Sequence, residues 1–245
     1  MTEILTTSTK IEKSNNYGTE YQTSIAYMLP AWQSGHNACP DASPTCPTIC
    51  IDTSGRMPMV YDARAYRSDL FYDDRQAFGT KLMEETQGNV RRNEKKDLRT
   101  AQRMNGTTDY AWEHIKFDGV TIINRFPEIQ FYDYTKSLKR AKQHGNGELP
   151  SNYHLTFSRS ETTPDETVIE LVTSGQNVAV VFDVVPTEWL GLKVIDGDEH
   201  DLRFIDPVGV IVGLKAKGKA KKDQTGFVVR LVTKIVDGKI VVIDA

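Results

Sequence analysis

Apolar and polar residues alternate in blocks along the second half of the chain, and these blocks predict strands that alternate with helices. Predicted strands cover residues 128–134, 153–160 and 177–185. The helices between them cover residues 135–147 and 163–176, the second with Thr163 as its N-cap and Pro164 in its first turn. Strands and helices that alternate at this spacing are typical of βαβ units around a parallel sheet.

The first half is less regular, but it also predicts strands and a long helix. Residues 23–32 predict a first strand that ends at Pro30, and residues 98–104 predict a short second one. Between them, apolar residues recur at roughly helical spacing over residues 61–85. Asp109 is predicted to cap a short helix that runs through Trp112 and Ile115.

The predicted fold class is therefore α/β, a parallel (β/α) barrel of the TIM type or a part-barrel, with β elements appended at the C-terminus. The appended elements are a strand at residues 208–216 and a hairpin at 226–245, with Asp237 and Gly238 in its turn. We expect residues 1–24 to be a polar, loosely held segment, and residues 25–245 to form a single domain.

Composition narrows the function classes. The chain has 245 residues and a formal net charge of -3, so no global field favours nucleic acid or a membrane surface. No apolar run approaches the ~18 to 20 residues of a membrane span. The first residues lack a basic segment followed by an apolar run, so they do not predict a secretory signal. The expected location is the cytoplasm.

All three cysteines of the chain lie within twelve residues, at Cys39, Cys46 and Cys50. An odd number of thiols in a cytoplasmic protein argues against a disulfide framework. Three protein ligands leave one coordination position open, as in a catalytic metal or an iron–sulfur cluster. His36 would complete a four-ligand zinc site instead, and unligated thiols are the third alternative.

Polar residues follow the predicted parallel strands, where the reactive groups of α/β barrels lie. An arginine there would pair with a cofactor carboxylate, and an amide would bond a ribose; the alternative is that these are loop residues or helix caps. The candidate cofactor-binding residues are Arg103, Asn105, Asp133, Ser158 and Arg159.

Two charged segments near the C-terminus are further candidates. The basic segment 215–222, from Lys215 to Lys222, is a candidate contact for a nucleotide or nucleic acid, and a flexible loop without a partner is equally compatible with it. Residues 196–201 are rich in carboxylates, which would suit a hard cation or an exposed turn.

Three stretches resemble a family of bacteriophage proteins known mainly by a gene-product number, which implies the host cytoplasm as the location. The stretches are residues 39–56, 103–113 and 196–218, and the resemblance as a whole spans from about residue 25 to residue 245. The matching residues in them are Cys39, Pro40, Ala42, Ser43, Cys46, Cys50, Gly55, Arg56, Arg103, Asn105, Asp109, Trp112, Glu113, Asp196, Asp198, Asp201, Arg203, Asp206 and Gly213.

The three-cysteine loop after the first strand is also similar to that of the radical S-adenosylmethionine enzymes, whose usual spacing is C-x3-C-x2-C. This resemblance implies a [4Fe–4S] cluster on Cys39, Cys46 and Cys50, with S-adenosylmethionine as the small-molecule cofactor. Our leading hypothesis is a phage-type enzyme of this kind, with an unknown substrate. The alternative is a zinc-stabilised phage protein that binds a host protein or nucleic acid.

Overall fold

The computed structural model describes the backbone of residues 2–236 and 239–244, and the side chains of residues 2–231. The strands are β1 Leu5–Thr6, β2 Tyr21–Ala26, β3 Arg99–Arg103, β4 Lys116–Phe117, β5 Val120–Thr121, β6 Gln130–Thr135, β7 Tyr153–Ser158, β8 Val178–Phe182, β9 Glu188–Trp189, β10 Leu192–Asp196, β11 Ile211–Lys215, β12 Val228–Val229, β13 Val232–Val236 and β14 Lys239–Asp244. The α-helices are α1 Thr9–Asn15, α2 Ala31–Ser34, α3 Cys46–Ile49, α4 Tyr61–Asp73, α5 Arg75–Glu94, α6 Ile122–Arg125, α7 Leu138–Gly145 and α8 Asp165–Thr173. Short 3-10 helices cover Ile51–Thr53, Met57–Val60, Arg203–Ile205 and Gly218–Lys222.

A mostly parallel sheet forms the centre of the molecule. Its parallel strands lie in the order β2-β3-β6-β7-β8-β11-β10. The short strands β1 and β9 pair antiparallel with β2 and β10, and β12 pairs parallel with β8. Because the central strands are parallel, their carboxyl ends meet at one edge of the sheet.

The predicted α/β class and parallel sheet are confirmed, whereas a closed TIM-type barrel is wrong. In the part of the chain that the structure describes, the sheet ends at β1 on one side and at β9 on the other. Both edge strands are only two residues long. Within the described residues β1 pairs with β2 and β9 pairs with β10, and the two edges do not pair with each other, so the sheet is open.

Helices α4, α5 and α8 pack against one face of the sheet. Phe71 of α4 and Phe78 of α5 belong to one apolar cluster with Phe131 of β6. Val168 of α8 packs in a second cluster with Val180 of β8. Because side chains alternate along a strand, the neighbours of these strand residues lie on the opposite face.

That opposite face is covered by the N-terminal segment and by residues 200–206. Tyr132 of β6 packs there with Leu202 and Phe204. Ile4 and Ile11 are buried. The N-terminal segment is therefore packed, whereas the sequence predicts that it is loosely held. Its polar residues obscured two short elements, β1 and α1, that are stabilised by tertiary contacts.

Several local predictions need correction. The helix predicted at 61–85 is two helices, because Asp74 ends α4 and caps α5 by accepting a hydrogen bond from the Ala77 amide at 2.9 Å. Asp109 caps no helix; its carboxylate accepts from the Lys136 amide and the Thr135 hydroxyl. Pro164, and not Thr163, precedes the first turn of α8.

The predicted C-terminal hairpin is present as β13 paired antiparallel with β14. Its predicted turn, Asp237 and Gly238, lies outside the described residues. The chain just before the hairpin differs from the prediction, because Val228 and Val229 form β12 and pair with β8 of the central sheet. None of the helices in the described ranges is long and apolar enough to cross a membrane.

Candidate functional site

The cysteine segment, residues 37–56, leaves the sheet after β2 and crosses its carboxyl edge. Two anchors fix its path. The Glu161 carboxylate accepts from the Ser43 hydroxyl at 2.7 Å and from the Thr45 amide at 2.8 Å. The Asp109 amide donates to the Ala38 carbonyl at 2.9 Å. The segment is therefore tied to the loops that follow two other strands.

A cavity of about 1050 Å³ lies at this edge of the sheet, and all three cysteines are on its wall. Residues of α1 and of the loops after β3, β6 and β11 complete it. A cavity of this size, with apolar walls and a few convergent polar groups, is typical of a small-molecule site. The cysteine segment thus shares a cavity with residues at the ends of several strands.

The three thiols are free and partly buried, and burial is the main influence on each. It raises the pKa of Cys39 to about 11, and it raises the pKa of Cys50 still further. Burial also raises the pKa of Cys46, but the nearby Lys136 ammonium partly offsets it. At neutral pH these thiols are protonated in the metal-free protein, so a metal would have to displace their protons.

The described residues contain no group of three His, Cys, Asp or Glu side chains close enough together to hold a single metal ion. His36 is exposed and stacks on Tyr72, with 3.5 Å between the ring centroids. It is not on the wall of the cavity that the cysteines share. The carboxylate-rich residues 196–201 form no such group either: Asp198 binds the Lys217 ammonium at 2.6 Å.

Lys136, directly after β6, is a buried cation on the cavity wall. Its ammonium donates to the Ser158 carbonyl, the Ser158 hydroxyl and the Arg159 carbonyl, each at 3.3 Å, and lies 4.5 Å from the centre of the Phe227 ring. Burial lowers its pKa. Ser158, a predicted cofactor-binding residue, is therefore on the cavity wall with its hydroxyl next to a cation.

Asn105 lies on the cavity wall, but its side chain is fully engaged with the protein. Its amide NH₂ donates to the Tyr110 carbonyl and to Asp133. Its carbonyl accepts from the Thr108 hydroxyl, the Tyr110 amide and the Trp112 indole. These bonds shape the loop after β3, which supplies residues 106–109 to the cavity.

Asp133 lies beneath this loop and does not line the cavity. It is completely buried and accepts from the Asn105 amide at 2.6 Å and from the Tyr153 hydroxyl at 3.0 Å. Burial raises the pKa of Asp133 to about 7, although these hydrogen bonds and nearby arginines act in the opposite direction. Its contact with the cavity is indirect, through Asn105.

Arg103, at the end of β3, lines the cavity on the face of the sheet opposite the helices. Its Nη1 donates to Asp201 Oδ2 at 2.9 Å, and its guanidinium lies 4.7 Å from the centre of the Tyr134 ring. Lys10 of α1 binds the other oxygen of the same carboxylate at 3.1 Å. Burial favours the neutral form of Asp201, but Arg103, Lys10 and Arg203 hold its pKa well below the ordinary value.

Arg159 is separated from the other candidates. It lines a smaller pocket of about 340 Å³ with Trp189 and Arg230. Its Nη1 donates to the Gly226 carbonyl at 2.7 Å. Of the five candidate cofactor-binding residues, three thus line the large cavity, one supports it from below and one lies elsewhere.

The basic segment 215–222 forms one rim of the cavity. Lys215 and Lys217 line it, and the short helix Gly218–Lys222 packs through Ala220 against Ile49 of the cysteine segment. The run of lysines marks this segment in the sequence, whereas nothing in the sequence marks Lys10 as part of a site. A lysine in a polar N-terminal segment carries no local signal, because its partner Asp201 is distant in the chain.

Two comparisons, one with curated proteins and one with solved structures, found no match for this chain. A scan against family models did find one. The model described as Gene product 88 matches residues 3–231, which includes the N-terminal segment. Because the match spans most of the chain, the protein belongs to this phage-type family.

Proposed function

We propose that the protein is an iron–sulfur enzyme of the radical S-adenosylmethionine type, and that Cys39, Cys46 and Cys50 hold a [4Fe–4S] cluster in the large cavity. One observation carries this proposal: a segment with three free thiols follows the first parallel strand, and all three thiols line one cavity at the carboxyl edge of the sheet. The substrate is a second molecule in the same cavity.

The strand order supports a part-barrel. From β2 through β3, β6, β7 and β8 to β11, neighbouring parallel strands follow one another along the chain. An order of this kind with helices on one face is that of an opened (β/α) barrel, in which the catalytic groups lie at the carboxyl ends of the strands. We propose that these six strands are a part-barrel, with β10 and the short edge strands added to it.

The donor chemistry fits a cluster better than a single zinc ion. A zinc ion needs its ligands within one small coordination sphere, and the described residues contain no such group. In a [4Fe–4S] cluster each thiolate binds a different iron, so the thiols lie farther apart. Three cysteines on the wall of one cavity are compatible with that arrangement.

A bound cluster would supply one electron and an open iron position for the amino and carboxyl groups of S-adenosylmethionine. The residues of this chain would orient the cofactor and exclude water. Of the candidate cofactor-binding residues, Arg103, Asn105 and Ser158 lie on the wall. Ser158 would contact the cofactor, whereas Asn105, whose side chain is engaged within the loop after β3, would hold that loop in place. Asp133 would act through Asn105, and Arg159 would contact a ligand only from the smaller pocket.

The test is the iron and sulfide content of anaerobically reconstituted protein, together with its visible spectrum. The wild-type protein and a Thr48→Ala control should be brown and absorb near about 400 nm. The Cys50→Ala protein should stay folded, since this side chain lies outside the apolar clusters of the sheet, but should lose its iron. Full iron occupancy in Cys50→Ala would overturn the assignment.

The same metal analysis tests the second candidate, a zinc-stabilised protein that binds nucleic acid or a host protein. The exposed lysines of the rim favour it: Lys219, Lys221 and Lys222 project from the short helix Gly218–Lys222. In that case the purified protein is colourless and contains zinc. A gel-shift assay with a Lys221→Ala, Lys222→Ala double variant would then measure the contribution of the basic segment to binding.

A further inference from the structure

On one wall of the large cavity, two cationic side chains contact the same carboxylate. Lys10 Nζ lies 3.1 Å from Asp201 Oδ1, and Arg103 Nη1 lies 2.9 Å from Asp201 Oδ2. All three side chains line the cavity. Asp201 is completely buried and Arg103 nearly so, so solvent screens this group weakly. The three side chains leave one uncompensated positive charge.

Arg103, one of these two cations, has hydrogen-bond donors that are not used within the protein. Within the described residues, Arg103 binds Asp201 through Nη1 alone, so its Nη2 makes no hydrogen bond. Its Nε is buried without a partner. A guanidinium normally binds an oxyanion through two parallel N–H donors. Arg103 therefore has donors left for a second oxyanion.

The charged side chains of the whole cavity wall also favour an anionic ligand. Seven basic side chains line it against four acidic ones, although the chain as a whole carries a net charge of -3. Near Lys10, the rim adds Lys215 and Lys217, while Asp198 neutralises Lys217. A concave surface of one charge sign focuses the field and attracts ligands of the opposite sign.

The proposed cofactor does not account for this excess. S-adenosylmethionine carries a sulfonium, an ammonium and one carboxylate, so its net charge is positive. The excess of basic side chains would instead be neutralised by a second molecule that carries negative charge. On the basis of the proposed function, we infer that the substrate bears a phosphate or carboxylate group, and that Lys10 and Arg103 bind this oxyanion.

Calorimetric titration of the metal-free protein with pyrophosphate and with citrate, at constant ionic strength, tests the inference. We expect wild-type protein to bind one of the two with a Kd of about 1 mM or lower, and the preferred one identifies the oxyanion. Lys10→Met should weaken binding about tenfold, the value of one charge-assisted hydrogen bond. Lys139→Met is the matched control, because Lys139 is exposed on α7 and does not line the cavity; it should bind as wild type does.

A second variant separates a binding site from a structural ion cluster. Asp201→Asn removes the carboxylate that occupies both cations, so a folded Asp201→Asn protein should bind the oxyanion more tightly than wild type. Equal affinity of Lys10→Met and wild type, or no binding of either probe to folded wild-type protein at millimolar concentration, would overturn the inference. Because the titration needs neither iron nor cofactor, a failed iron assay and a failed titration are distinguishable.

Discussion

Replacement of Asn105 by alanine is expected to destabilise the protein strongly, because this side chain organises the loop after β3. Asn105 is 2% exposed, and its amide carbonyl alone accepts three hydrogen bonds, of 2.9, 2.9 and 3.1 Å. Its NH₂ group donates two more, to the Tyr110 carbonyl and to Asp133. Alanine would leave the Thr108 hydroxyl, the Tyr110 amide and the Trp112 indole without this partner. The Tyr110 carbonyl, by contrast, still accepts from the Trp112 amide, and Asp133 still accepts from Tyr153.

The magnitude follows from the number of groups that lose a partner. Each buried donor or acceptor left unsatisfied costs about 1 to 3 kcal/mol, with the lower values where the structure relaxes. Three donors around Asn105 would lose their partner, so a total of about 3 to 9 kcal/mol is expected. Domains of this kind are stable by about 5 to 15 kcal/mol, so the loss would be a large part of the whole.

Urea unfolding followed by circular dichroism measures the effect. The control is Asn146→Ala: Asn146 is exposed, its Nδ2 donates only to Glu148, and we expect a change within about 0.5 kcal/mol. If Asn105→Ala unfolds with less than about 1 kcal/mol of destabilisation, the hydrogen bonds do not hold the loop. The loop would then not be a rigid part of the cavity wall.

Three further predictions concern titratable groups. In metal-free protein at neutral to mildly basic pH, iodoacetamide should label Cys46 first, then Cys39, and Cys50 last. The reason is that burial raises the pKa of Cys50 most. Peptide mapping that finds Cys50 labelled first would contradict this. His36→Ala should retain its metal, since His36 is off the cavity wall, and loss of metal in that variant would favour zinc. Burial raises the pKa of Asp133 to about 7 from 3.8, so between these pH values the folded state binds a proton that the unfolded state does not. The contribution of Asp133 to stability should therefore increase as pH falls from about 7 to about 4. Over that range the urea midpoint should change with pH by a different slope in wild type and in Asp133→Asn.

The sequence predicted the central sheet well because its strands carry their own signal. β7 and β8 combine buried apolar residues with β-branched ones, and each is separated from its neighbour by a helix with a recognisable start. Fully buried strands of this kind are determined largely by local composition. The parts of the sheet that were missed, β1, β9, β10 and β12, are short or partly exposed and therefore lack that signal.

Distinctive residues indicated the candidate site, but the roles of several predicted residues depend on contacts that the sequence does not show. The clustered cysteines indicated a site, and they do share a cavity. Asn105 follows a strand as an exposed ligand-binding residue would, yet its amide is used within the loop. The pairing of Lys10 with Asp201 joins distant parts of the chain, so no local pattern predicts it.

The central claim is that Cys39, Cys46 and Cys50 hold a cluster with one open iron position beside the cavity. The most direct measurement is the electron paramagnetic resonance spectrum of the reconstituted, dithionite-reduced protein, recorded with and without S-adenosylmethionine. We predict the signal of a reduced [4Fe–4S] cluster, and a change in its shape when the cofactor binds the open iron. A protein that shows no cluster signal after reconstitution, or a signal that the cofactor leaves unchanged, would contradict the account.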